Sequence, residues 1–98
     1  LCDWVGEVVS SSAVEQGQWR VQAKCRNRFY EGDELEVLSP HKPIRSIKVQ
    51  SLAEVYDGAE VPSEVACKAM APYAFTASFE LEPRDILRVR RKDPTKKN

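Results

Sequence analysis

The groups in this chain best suited to covalent or metal chemistry are three cysteines, Cys2, Cys25 and Cys67, and a single histidine, His41. A catalytic thiol needs a base within reach. His41 stands in Ser39-Pro40-His41-Lys42-Pro43, where two prolines force a loop, whereas Cys25 and Cys67 fall on apolar positions of alternating segments. Those two thiols therefore read as buried structural groups. The cysteines are widely spaced and form no C-x-x-C pair, so neither a zinc nor an iron–sulfur site is expected, and no cofactor. Their odd number argues against a disulfide framework and for a reducing, cytoplasmic setting. Glu34 and Glu36 share one strand face and could form a carboxylate pair, but they read more simply as a solvated face. Asp33 and Asp85 read as turn caps. No catalytic residues are assigned, and the chain alone is not expected to be an enzyme.

The basic residues carry the clearer functional signal. Arg26 and Arg28 flank Asn27 beside Phe29 and Tyr30, while Arg88 and Arg90 alternate with Val89 and lead into Arg91 and Lys92. Guanidinium groups next to aromatic rings suit phosphate contact and base stacking. The formal net charge is zero, which excludes a wholly basic nucleic-acid binder. That zero is a cancellation: residues 1–83 hold eight basic and thirteen acidic side chains, a balance of −5, and residues 84–98 hold seven and two, a balance of +5. A basic edge remains, carried by Arg26, Arg28, Arg88 and Arg90 with Phe29 and Tyr30. It would contact RNA or a neighbouring domain, or simply neutralise the acidic body.

Short strands must position these residues. Gln18 to Cys25 alternates strictly, with Trp19, Val21, Ala23 and Cys25 on one face. Trp4 to Val9 is expected to pair with it across a polar loop from Ser10 to Gly17. Asn27 to Asp33 reads as a turn, Leu35 to Leu38 and Ile44 to Leu52 as strands, and Asp57-Gly58 as a tight hairpin turn. Ser63 to Met70 leans to strand, Tyr73 to Phe79 alternates, and Ile86 to Val89 closes the series. Gly32-Asp33-Glu34-Leu35-Glu36-Val37 and Arg84-Asp85-Ile86-Leu87-Arg88-Val89 repeat one frame, in which an aspartate fixes the turn entering a strand. Asn27, Gly32, Asp33, Asp57, Gly58 and Asp85 are accordingly the structural turn residues. Ninety-eight residues suffice for one modest core. The expected fold is all-β, a small closed antiparallel barrel of six or seven short strands over residues 1–91, with 92–98 a polar basic tail. No apolar run is long enough for a membrane helix. The chain begins at Leu1 rather than Met and reads as a module excised from a longer polypeptide, monomeric in isolation.

The run Arg26-Asn27-Arg28-Phe29, Gly32-Asp33, Leu35-Glu36 and Ser39-Pro40, then Asp57-Gly58, then Asp85-Ile86-Leu87-Arg88, resembles the C-terminal β-barrel domain of the collagenase-like peptidase family U32. The resemblance spans about Trp4 to Arg90, and Asn27 to Pro40 is its most specific part. It implies a barrel similar to the accessory domains of translation elongation factors, on a parent whose upstream (α/β)-barrel-like domain is a protease of undetermined catalytic type. Related members are similar to hydroxylation factors for tRNA or ribosomal RNA, with an iron–sulfur cluster held upstream. The implied function is a non-catalytic accessory domain that docks on the catalytic domain or presents substrate; the alternative is an RNA-contacting module. One position departs from the family pattern. Arg84 stands where glycine is usual, and a positive φ is costly for arginine, so a different turn type is expected there.

Overall fold

The computed structural model describes residues 2–90, and the expected basic tail, with Arg91 and Lys92, lies outside them. The described residues form ten strands and no helix: β1 (Cys2–Ala13), β2 (Trp19–Cys25), β3 (Phe29–Tyr30), β4 (Glu34–Leu38), β5 (Arg45–Lys48), β6 (Gln50–Tyr56), β7 (Ala59–Pro62), β8 (Val65–Ala66), β9 (Pro72–Ala77) and β10 (Ile86–Arg90). Among them no helix is long and apolar enough to cross a membrane.

The expected closed barrel of six or seven strands is corrected. Eight strands hydrogen-bond in the open order β5-β4-β10-β1-β2-β9-β6-β7, and β3 pairs with β8 separately. The ladder breaks at Val49, the one residue between β5 and β6. Its N–H donates to the Asp33 carbonyl and its carbonyl accepts the Gly32 N–H, so it joins a turn instead of a neighbouring strand. The free edges of the sheet are β5 and β7, and no ladder joins them. The loop expected from Ser10 onward is also shorter. Ser10, Ser11 and Ser12 belong to β1 and pair with Gln22, Val21 and Arg20; Ser10 and Ser12 are exposed, and the Ser11 hydroxyl between them donates to the Leu81 carbonyl.

The inner face collects Val5, Val8, Val21, Leu35, Val37, Val49, Tyr73, Phe75, Leu81 and Leu87, all buried. Alternation supplies most of this set because residues two apart on a strand share a face. Phe29 completes it. Its ring meets Phe75 edge-on at 6.4 Å and 85°, a favoured aromatic geometry.

Two turns organise the entry into β4 and β10. In Tyr30–Asp33 the Asp33 N–H donates to the Tyr30 carbonyl at 3.1 Å, and Asp33 Oδ2 accepts the Tyr30 N–H at 2.8 Å. In Glu82–Asp85 the corresponding bonds are 3.0 and 2.9 Å. Each turn then exchanges two backbone bonds with a valine, Val49 for the first and Val8 for the second. The strands that follow pair with each other, and Glu36 lies opposite Arg88, its counterpart in the repeat. An approximate two-fold axis therefore passes through the Glu36–Arg88 ion pair.

The repeat explains a further correction. Arg84 does adopt positive φ, at 76°, as Gly32 does at 87°. With Pro83 before it and the closing Asp85-to-Glu82 bond, the turn is type II, which demands that conformation at its third residue. Left-handed backbone costs a non-glycine residue about 1–2 kcal/mol, and glycine costs about 0.5–1 kcal/mol in added chain entropy. Arg84→Gly should therefore raise stability by about 0.5–1 kcal/mol, measured by urea unfolding.

Candidate interaction surface

The most organised exposed group is built on Trp4. A register shift between Trp4 and Gly6 leaves Val5 bulged in β1. The Val5 carbonyl accepts both the Arg26 N–H at 2.7 Å and the Asn27 N–H at 3.2 Å, which draws the end of β2 over the start of β1. Asn27 Nδ2 donates to the Trp4 carbonyl at 2.6 Å, and the Trp4 indole N–H donates to the Gly6 carbonyl at 2.8 Å. The Arg26 guanidinium then lies 3.8 Å from the centroid of the Trp4 ring. Such a stack contributes about 0.5–1 kcal/mol at an exposed site. Its greater consequence is that both side chains hold one orientation while staying accessible: Trp4 is 38 % exposed and Arg26 is exposed.

This pair heads a row across the outer face of the sheet. Trp4 lies opposite Arg88, Arg88 opposite Glu36, and Glu36 opposite Ser46, so the four side chains share one face of β1, β10, β4 and β5. Arg88 Nε donates to Glu36 Oε1 at 2.7 Å. Beyond Glu36 an open cleft of about 370 Å³ is lined by Asp33, Glu34, Glu36 and Ser46, with Val89 beneath.

The structure separates the sequence-derived candidates. Phe29 leaves the contact set: it is 0 % exposed, so no base or partner can stack on it, and its role is in the core. Tyr30, its neighbour in β3, is 42 % exposed. Arg28 is exposed and Arg88 half-buried, and each is engaged in interactions of its own. The Arg90 side chain lies outside the described residues, although its backbone pairs with Cys2. Gly32, Asp33 and Asp85 form the two turns described above. Asp57 and Gly58, at φ 52° and 77°, make the two-residue link between β6 and β7. Trp4 was absent from the sequence-derived candidates. Its link to Arg26 joins positions that are distant in sequence, brought together by the β1–β2 pairing and adjusted by the bulge at Val5.

The thiols are not alike. Cys25 is buried, and its Sγ donates to the Asn27 carbonyl at 3.3 Å. Loss of solvent, reinforced by Cys67, pushes its pKa up, away from the reactive thiolate. Cys67 is exposed, which corrects its expected burial; the strand that Ser63 to Met70 suggested ends at Ala66, and the Cys67 N–H donates to the Tyr73 hydroxyl instead of a ladder. His41 is exposed in the loop between β4 and β5. Among the described residues no three of His, Cys, Asp and Glu converge as a metal site.

Ion pairs at the rim set the acid response. Hydrogen bonding from Arg20 holds Glu60 below the usual carboxylate range, and hydrogen bonding from Lys42 does the same for Glu82. A carboxylate with a depressed folded-state pKa contributes stability above its unfolded value, here near 4.5, and loses it as pH falls through the folded value. Both pairs are exposed, so the contribution is small and screened. The urea midpoint should be flat from neutrality down to about pH 5 and fall below it. Added salt should reduce the contribution of these two pairs.

Comparison with known proteins fixes the family. The family model described as "Peptidase family U32 C-terminal domain" matches residues 2–88. The chain belongs to that family. Two crystal structures have the same architecture, both of the C-terminal domain of a Geobacillus thermoleovorans protein assigned to the U32 peptidases. One has a TM-score of 0.73 at 23 % identity and covers 90 % of this chain and 92 % of its own. The other, a selenomethionine variant, has a TM-score of 0.68 at 26 % identity and covers 88 % and 98 %. No curated protein matches this U32 domain in sequence.

Proposed function

We propose that this U32 C-terminal domain is a non-catalytic accessory domain that docks on the catalytic domain of its parent polypeptide and so helps present substrate. The Trp4–Arg26 stack carries this reading. It is accessible, and four hydrogen bonds order its surroundings: the Trp4 indole is bonded to the Gly6 carbonyl, and the Arg26 and Asn27 backbone and the Asn27 amide are bonded to the Val5 and Trp4 carbonyls. The groups able to do covalent chemistry do not add up to a site on this reading: the Cys25 thiol is buried with a raised pKa, while His41 and Cys67 belong to separate loops. The domain then works as a monomer, needs no cofactor of its own, and sits in a reducing cytoplasm that keeps its cysteines as thiols.

The purified chain should cleave neither casein nor gelatin, and it should bind the separately expressed catalytic domain of its parent. Hydrolysis by the chain that disappears in Cys67→Ala or His41→Ala would overturn the non-catalytic reading.

The second reading, an RNA-contacting module, draws on the exposed Arg26, Arg28 and Tyr30. It has lost Phe29 to the core, and Arg88 is committed to Glu36. Salt-dependent binding to transfer RNA that falls on Arg26→Ala and Arg28→Ala would favour it.

A further inference from the structure

The two free edges of the sheet are not alike. Just past β7, the Ser63 N–H donates to the Leu52 carbonyl of β6. Backbone groups alternate in direction along a strand, so Val61 also faces β6, while Glu60 and Pro62 face outward. Pro62 has no N–H and the Glu60 side chain is held by Arg20, so Glu60 is the one outward donor of this strand. On the other edge, the Val49 N–H and carbonyl that follow β5 both turn toward the start of β4, to Asp33 and Gly32. The same alternation turns Ile47 toward β4 and leaves the N–H and carbonyl groups of Ser46 and Lys48 pointing away from the sheet. No strand among the described residues pairs with them. An open cleft of about 440 Å³ lies at this edge, lined by Gly32, Glu34, Ser46, Ile47 and Lys48.

We infer that the β5 edge receives an extended polypeptide, which adds as one more strand beside Ser46 and Lys48. Two donors and two acceptors set at the repeat of a strand are complementary to the backbone of an extended chain. A helix has already spent its own backbone groups and offers no such row. Pairing of this kind takes its affinity from main-chain bonds, so it tolerates many sequences, as a domain that presents substrate requires. Ile44, exposed immediately before β5, adds an apolar contact at one end of the edge. A second copy of this chain fits less well, since it would bring two sets of Arg45 and Lys48 onto one short ladder. The inference rests on the substrate-presenting part of the function proposed above and names what is presented, an extended segment of polypeptide.

The test is amide hydrogen exchange of the chain, alone and with a short peptide of alternating threonine and valine that carries a lysine at each end for solubility. The Ser46 and Lys48 amides should exchange freely in the chain alone and slow by about tenfold or more when peptide saturates it. Fluorescence polarisation of the labelled peptide gives the affinity. Ser46→Pro removes a donor from the free side of β5, where proline is tolerated, and should weaken binding by about tenfold or more. Glu60→Pro, the same change on the β7 edge, should bind as wild type. Circular dichroism and Tm of both variants verify folding. Peptide binding that protects other amides and ignores Ser46→Pro overturns the inference and leaves substrate presentation intact. Absence of peptide binding by the wild-type chain overturns both, while docking stands or falls on its own titration with the catalytic domain. Protection of Ser46 and Lys48 that grows with protein concentration in the absence of peptide assigns the edge to a second copy and also overturns the inference.

Discussion

Asp85→Ala should be the most damaging single change at a polar residue of this domain, lowering Tm by about 10 °C or more in a thermal melt. Asp85 is 1 % exposed, its Oδ2 accepts the Glu82 N–H at 2.9 Å, and the Arg45 guanidinium lies 3.9 Å from the same oxygen. Truncation leaves the Glu82 N–H without its acceptor. It also takes the nearest carboxylate from Arg45, which lies partly buried over the Phe79 ring, donates to Ser39 Oγ at 3.0 Å and has a buried Nε without a hydrogen bond. A buried donor left without its acceptor costs about 1–3 kcal/mol, and the lost attraction between Asp85 and the half-buried Arg45 adds to it. The turn it closes feeds β10, which lies between β4 and β1 in the sheet, so the loss is not confined to an edge. Asp85→Asn keeps an acceptor for the N–H and should recover part of the loss. Asp33→Ala, at the equivalent but more exposed turn, should cost about 1 kcal/mol. Unfolding of Asp85→Ala within about 0.5 kcal/mol of wild type would show that the turn is held by something else.

Phe29→Ala should cost about 3–5 kcal/mol, and Tyr30→Ala next to it about 0.5 kcal/mol or less. The two rings are adjacent in the sequence and opposite in environment, since Phe29 meets Phe75 in the core while Tyr30 faces solvent. Denaturant unfolding of both variants gives the ranking directly. Equal, small losses would return Phe29 to the surface and undo the placement of β3 against β8.

The contrast also marks what can be read from this sequence. Trp19 to Cys25 declares its strand because period-two alternation is local, and the repeated aspartate frame declares its two turns because the carboxylate acts within four residues. β3 is only two residues long, and nothing near Phe29 reveals that Ala66 lies opposite it. Closure of the sheet fails for the same reason. A chain that bends at Val49 has the same apolar pattern as one that pairs on both sides, and only the turn at Gly32 and Asp33 decides between them. Arg84 was misleading from the other direction: its side chain argues against positive φ, but Pro83 and the repeat impose it. Of the candidate surface, Arg26 was legible from its composition and neighbours. Trp4 was not, because its role depends on the bulge at Val5. Cys67 alternated like a core residue, but the strand stops before it.

Hydroxyl-radical footprinting of the full-length parent beside the isolated chain tests docking through this surface most directly. Trp4 should be oxidised readily in the isolated chain and protected in the parent, while Tyr56, 70 % exposed on the far hairpin, should react alike in both. Equal oxidation of Trp4 in the two, or protection at Tyr56 with Trp4 unchanged, would contradict docking through the Trp4–Arg26 face.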